Sequence, residues 1–116
     1  AAMPWRNSLC MLGMGNDGHA ASLFPGTAAL ADALNVNYER LCKAVRPQAS
    51  PIAGPHPRMS LTLMALIQAR HIYLVITGAD KRATFERALQ GTDDREMPVR
   101  AILRQSAAPV SVYWSP

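Results

Sequence analysis

Residues 12–26 hold the densest chemistry in the chain: Leu-Gly-Met-Gly-Asn-Asp-Gly-His-Ala-Ala-Ser-Leu-Phe-Pro-Gly. Asp17 and His19 stand two residues apart among Gly13, Gly15 and Gly18, with Asn16 between the glycines. Histidine has the one side chain whose unperturbed pKa lies near neutrality, so it suits a general base. A carboxylate beside it can select its tautomer and stabilise the imidazolium. Glycines let a ligand approach the backbone, and their amide N–H groups can receive negative charge. A base, an orienting acid and oxyanion donors together suit hydrolysis of an ester. The same residue types also suit a plain glycine-rich turn with a solvated Asp and a satisfied His. Residue types alone do not separate the two.

Gly13, Gly15 and Gly18 also satisfy the G-x-G-x-x-G spacing of dinucleotide-binding turns. The surroundings speak against that reading. Pro25 interrupts the segment where the helix of such a turn should continue, and no strand ends in an acidic residue at the expected distance. Ser22 lies in no Gly-x-Ser-x-Gly elbow, so a serine nucleophile has little support. His19, His56, His71 and the scattered acids give no helix-spaced ligand pair, and no metal is expected. His56, between prolines, reads as a solvated loop residue, and His71, opening an apolar strand, as a structural one.

Several elements must position this loop. Leu9–Leu12 is a short apolar run ending in glycines, the pattern of a strand buried on both faces. His71–Thr77 is richer in β-branched residues and stops at Gly78. Leu41–Val45 is a weaker strand candidate. Near the end, Val110, Val112 and Trp114 alternate with Ser111 and Tyr113, as in a strand with one face less buried. Between strands, Leu63, Leu66 and Ile67 share a helical face, with Ser60 or Thr62 as the cap. Asp80 can cap a helix after Gly78, with Phe85, Ala88 and Leu89 inward and Gly91 as its stop. Pro98 suits a first helical turn, with Val99, Ile102 and Leu103 facing the core. The alternation predicts an α/β fold, a mostly parallel sheet flanked by helices. Residues 47–57 read as a proline-rich loop, and no domain boundary is expected.

The 116 residues suit one domain, and their hydrophobic fraction of 49% against 17% charged describes a globular chain. Cys10 and Cys42 are too few for a disulfide framework and fit a reducing compartment. No apolar run is long enough to span a bilayer, and no signal-peptide pattern opens the chain, so neither a membrane nor a secreted location is expected. The net charge of +4 admits acidic partners. The 12 Lys and Arg are dispersed, however, and the aromatics do not interleave with them, so no nucleic-acid surface is expected. A few cations aimed at one phosphate suit this charge better.

Gly13 to Gly26 resembles the Gly-x-Gly-x-Asp-Gly-His-x-Ala-Ser-Leu-Phe-Pro-Gly signature of the 6-phosphogluconolactonases. Three later segments are similar to that family in order: Arg58–Leu63 to its Arg-(aliphatic)-Thr-Leu-Thr box, Ile76–Lys81 to its strand and Gly-x-x-Lys, and Met97–Ile102 to its Pro-Val-Arg-Ala segment. The resemblance implies a Rossmann-like three-layer architecture of the NagB/RpiA/CoA transferase-like type. It implies a cytoplasmic enzyme of the pentose phosphate pathway that hydrolyses 6-phospho-D-glucono-1,5-lactone to 6-phospho-D-gluconate without metal or organic cofactor. His19 then matches the catalytic base and Asp17 its partner. Gly13, Gly15, Asn16 and Gly18 match the substrate loop, and Arg58 and Lys81 match basic positions near the substrate phosphate. The related glucosamine-6-phosphate deaminases carry a glutamate soon after the histidine, whereas Ala20–Pro25 supplies no carboxylate. A deaminase, or a non-catalytic sugar-phosphate-binding module, is the alternative.

Members of that family are about twice as long, and every matching segment belongs to their C-terminal half. Residues 1–116 are therefore expected to be a single domain that is the C-terminal half of a larger one, with an incomplete sheet. An open apolar edge should follow, and the chain alone is expected to be inactive or to associate, with itself or with the other half.

Overall fold

The computed structural model describes residues 8–45 and 57–116; the expectations for His56 and for most of the loop 47–57 lie outside them. In chain order the elements are β1 (Leu9–Leu12), α1 (Leu30–Ala33), β2 (Cys42–Val45), β3 (Arg58–Leu61), α2 (Leu63–Leu66), β4 (His71–Thr77), α3 (Ala79–Gln90), α4 (Val99–Arg104) and β5 (Val110–Ser115). The main sheet has the order β1-β4-β5 and both of its pairings are parallel. The β-branched run of β4 thus becomes its centre. Leu41–Val45 does supply a strand, but β2 pairs antiparallel with β3 as a separate two-stranded ribbon.

One core organises the elements. Ile72, Leu74 and Ile76 of β4 project to one face and meet Leu63 and Leu66 of α2, Ala88 of α3, and Val99, Ala101 and Ile102 of α4. Cys10, Leu12, Val110 and Val112 extend that face into the outer strands. In parallel register neighbouring residues share a face, so Leu9, Met11, His71, Tyr73, Val75, Ser111 and Tyr113 form the other. That face is open among the described residues, with Met11 74% and Tyr113 57% exposed. β1 and β4 are therefore covered on one face, not on both as their apolar runs predict. The described residues build one helical layer on a mostly parallel sheet, as an incomplete three-layer fold requires.

Local rules decide the helix ends. Thr62 caps α2, its hydroxyl accepting from the Ala65 amide at 3.3 Å and donating to Arg40 O at 2.8 Å. α3 starts after Gly78, whose φ of 89° few other residues tolerate. Asp80 lies inside the first turn and makes no cap hydrogen bond there, which corrects the expected role. The buried residues of α3 are Thr84 and Ala88, while Leu89 is 60% exposed. Thr84 faces inward, its hydroxyl donating to Asn16 O of the glycine loop, and Leu89 lies away from that face. Val99 and Ile102 of α4 are fully buried, as their spacing predicts, with Leu103 partly so.

Cys10 is half-buried and Cys42 exposed, and both are free thiols. The His71 Nε2 lies 2.7 Å from Ser111 Oγ and its ring stacks on Tyr73, which suits the structural role expected of it.

Candidate active site

The glycine loop leaves the end of β1 and never becomes a helix: residues 16–29 run through turns and isolated bridges before α1. Its shape is held by its own amides. Gly15 N–H donates to His19 O at 2.9 Å and Gly18 N–H to Gly15 O at 3.0 Å. Those two amides are thus committed inside the loop and do not serve as oxyanion donors. From outside, the Val99 amide at the start of α4 donates to Gly18 O at 3.0 Å, and Thr84 and Arg87 of α3 reach Asn16 O.

Asp17 and His19 are brought together. Asp17 Oδ1 lies 2.5 Å from His19 Nδ1 and also accepts from the His19 amide at 3.1 Å. A carboxylate only accepts, so Nδ1 donates to Asp17, and in the neutral imidazole Nε2 is then the nitrogen with the lone pair. The two side chains are about a quarter exposed, 21% for His19 and 26% for Asp17. They are open enough for substrate and closed enough to hold geometry.

The glycines serve different ends. A Cβ on Gly15 would fall on Cε1 and Nδ1 of His19 and lie 2.9 Å from Asp17 Oδ1, so the imidazole occupies the space a side chain would take. Gly18 has a φ of 85°, and a Cβ there would meet Met97 at 2.9 Å. Gly13 shows neither restriction and borders open space. Ala21 adopts a φ of 52°, costly for a residue with a Cβ, and faces the site.

A cavity of about 600 Å³ opens over this loop, lined by Gly13, Gly15, Asn16, His19 and Ala21 with Lys81 from the first turn of α3. That volume falls within the usual range for small-molecule sites, about 300–1,000 Å³. Gly18 packs against Met97 and does not line it. Arg58 does not line it either: its guanidinium lies 5.3 Å from the centroid of the Phe24 ring. That ring in turn lies 4.4 Å from the imidazole of His19. Among the described residues no group of three His, Cys, Asp or Glu side chains is arranged to hold a metal ion.

Three residues escape a reading by residue type. Ser60, 4% exposed, accepts from the Ser22 amide at 3.1 Å and ties β3 to the site loop. Phe24 reads as ordinary core yet touches both His19 and Arg58. Arg100, 3% exposed, reads as a dispersed cation yet closes the end of α3. The Arg58–Leu63 and Met97–Ile102 segments were visible as motifs, but not these contacts within them.

Comparison with known proteins gives the chain a family. Residues 3–114 match the family model described as glucosamine-6-phosphate isomerases/6-phosphogluconolactonase. A 6-phosphogluconolactonase of Caulobacter vibrioides is 44% identical over 115 residues, 99% of this chain and 46% of that protein. One from Rhizobium meliloti is 40% identical over 106 residues, 91% of this chain and 44% of its own length. The crystal structure of a 6-phosphogluconolactonase from Shewanella baltica superposes with a TM-score of 0.83 at 40% identity, covering 94% of this chain and 44% of that one. The chain thus spans somewhat less than half the length of these relatives. Matched along nearly its whole length, it belongs to the glucosamine-6-phosphate isomerase/6-phosphogluconolactonase family.

Proposed function

We propose that this chain is the C-terminal half of a 6-phosphogluconolactonase domain and carries its general base. The observation that carries the reading is the Asp17–His19 pair at a cavity that also holds Lys81. In this reading His19 Nε2 takes a proton from a water molecule, whose oxygen attacks the lactone carbonyl. The tetrahedral intermediate collapses by breaking the ring C–O bond, and the imidazolium returns the proton to the departing ring oxygen. Lactone and water become the open-chain acid, with no redox partner. Asp17 keeps the imidazole in the productive tautomer and stabilises its charged form.

Lys81 supplies a point charge for the substrate phosphate, and Arg58, outside the cavity lining and against Phe24, a second cation beside the site. Asn16, on the cavity wall, contributes polar contacts to the sugar. The relatives named above are lactonases, and Ala20–Pro25 offers no carboxylate for the isomerisation of an amino-sugar phosphate. Among the described residues no helix is long and apolar enough to cross a membrane, which suits a cytoplasmic enzyme acting on a phosphorylated metabolite.

The test is a hybrid in which this chain replaces the matching 46% of the Caulobacter vibrioides protein. The hybrid should hydrolyse 6-phosphogluconolactone, lose most of its kcat on His19→Asn, and leave glucosamine 6-phosphate unchanged. The chain alone should show no turnover. Activity of the His19→Asn hybrid near that of its parent removes His19 from the mechanism, and full activity of the chain alone overturns the half-domain reading.

A further inference from the structure

His19 is held on three sides. Asp17 takes Nδ1, Gly15 leaves the space beside Cε1 and Nδ1 that a side chain would fill, and Phe24 lies against the ring with centroids 4.4 Å apart at 35°. Phe24 is itself fixed. It is 3% exposed, packs in a small apolar cluster with Val45 and Ala29, and has the Arg58 guanidinium 5.3 Å from its centroid. The cluster is separate from the main core, and apolar burial as such does not depend on an aromatic ring. A ring does something an aliphatic side chain does not: it offers a flat face to an imidazole and a negative quadrupole to a guanidinium.

We infer that Phe24 is a positioning residue for His19, its ring fixing the imidazole rotamer and Arg58 bracing the ring from β3. Asp17 alone sets the tautomer but leaves the imidazole free to rock about its Nδ1 hydrogen bond. Phe24 removes that freedom. The brace also connects the antiparallel ribbon to the catalytic loop, because Arg58 sits on β3 opposite Val45 of β2. Ser60, two residues along the same strand, holds the Ser22 amide. The ribbon therefore grips the loop at two points, one of them through an aromatic ring.

The inference deepens the lactonase reading and rests on it for its kinetic consequences, though not for its geometric ones. The test compares Phe24→Leu, which keeps an apolar side chain but loses the ring, with Val45→Ala, which loosens the same cluster and keeps the ring. In the hybrid, Phe24→Leu should lower kcat by about 10- to 100-fold with KM within twofold, as for a misaligned catalytic group. Val45→Ala should hold kcat within about threefold while losing comparable stability. Imidazole ¹⁵N spectra should show His19 of Phe24→Leu averaging between rotamers, with Val45→Ala like the parent. Equal losses of kcat in the two variants, or an unchanged His19 spectrum in Phe24→Leu, overturns the inference. A hybrid with no lactonase activity sinks the functional reading alone, since the spectra still decide whether Phe24 holds the imidazole.

Discussion

Arg100 offers the sharpest test of how the fold supports its site, because its guanidinium closes α3, the helix that carries Lys81 at its other end. Nε donates to Ala88 O at 3.0 Å and Nη2 to Arg87 O at 3.2 Å, both carbonyls in the last turn of the helix. Nη1 donates to Asp93 O at 3.0 Å and to Glu96 Oε1 at 3.0 Å. Glu96 is 66% exposed, so that ion pair contributes little. The carbonyl contacts matter more: a buried charge-assisted hydrogen bond is worth about 1.5–3 kcal/mol net. Arg100→Ala removes three of them and strands carbonyls at a helix end, for an expected loss of about 3–5 kcal/mol. Gly91 makes the argument decisive. Its backbone is extended, with φ of −108° and ψ of 172°, a conformation any residue adopts. A Cβ there would nonetheless fall on Cζ and Nη2 of Arg100. Gly91→Ala should therefore cost about 1–3 kcal/mol through overpacking. In the Arg100→Ala background the same change should cost nothing or stabilise slightly, by about 0.4–1 kcal/mol through the unfolded state. Urea unfolding of the four proteins, followed by circular dichroism, reads this cycle. Additivity within about 0.5 kcal/mol would show that Gly91 is small for some other reason, and an Arg100→Ala loss below about 1 kcal/mol would show that the carbonyls are satisfied without it.

Two further outcomes follow from the site and its surroundings. Gly15→Ala should push the imidazole off Asp17 and cut kcat of the hybrid about 100-fold or more while the unfolding midpoint moves little, which steady-state kinetics and urea titration check side by side. Burial pushes the Cys10 thiol up from its ordinary range, so its thiolate forms at higher pH in the folded chain than in the unfolded one, and Cys42, exposed, should be alkylated first at pH 8, as peptide mapping after brief iodoacetamide treatment reads directly.

Much of the fold is legible where one local rule acts alone. The β-branched run of β4 bounded by Gly78, the Thr62 cap and the turn at Pro98 each follow from neighbours within a few residues. The pairing of β2 with β3 is not legible in the same way, because Arg58–Leu61 carries no alternation strong enough to mark a strand. Leu89 shows the limit of helical periodicity: Phe85, Ala88 and Leu89 form a plausible stripe, but the buried face is that of Thr84 and Ala88, with Thr84 bonded to Asn16 O across the sequence. The site divides along the same line. Asp17 and His19, two residues apart, are readable as a pair from types and spacing. Arg58 is readable as a motif cation, yet its contact with Phe24 spans more than thirty positions and depends on the ribbon's docking. Arg100 is hardest of all, since nothing local distinguishes a buried arginine from a solvated one until the helix end it closes is in place.

The open face of the sheet ties these strands of reasoning together. β1 carries the Asp17–His19 loop at its C-terminal end, and the same strand presents Leu9 and Met11 to solvent at 62% and 74%. It pairs with β4 along one edge only within this sheet, and Ser8, Leu9, Cys10 and Met11 join Leu61, Ala65, Leu66 and Ala69 around an apolar groove of about 330 Å³. An uncharged strand edge with no partner among the described residues, beside an apolar groove, favours further pairing. Relatives of more than twice this length have the polypeptide to supply it. For the proposed mechanism the consequence is mechanical. Asp17, Gly15 and Phe24 surround the imidazole within the loop, while α3 and α4 fix the loop to the sheet, so the Asp17–His19 pair is assembled by this chain's own contacts. Among the described residues β1, from which the loop springs, has one neighbouring strand, besides the packing of Cys10 and Leu12 on the core. Covering its second edge therefore bears on the proposed activity through the position of the whole loop, even though the Asp17–His19 pair is already formed.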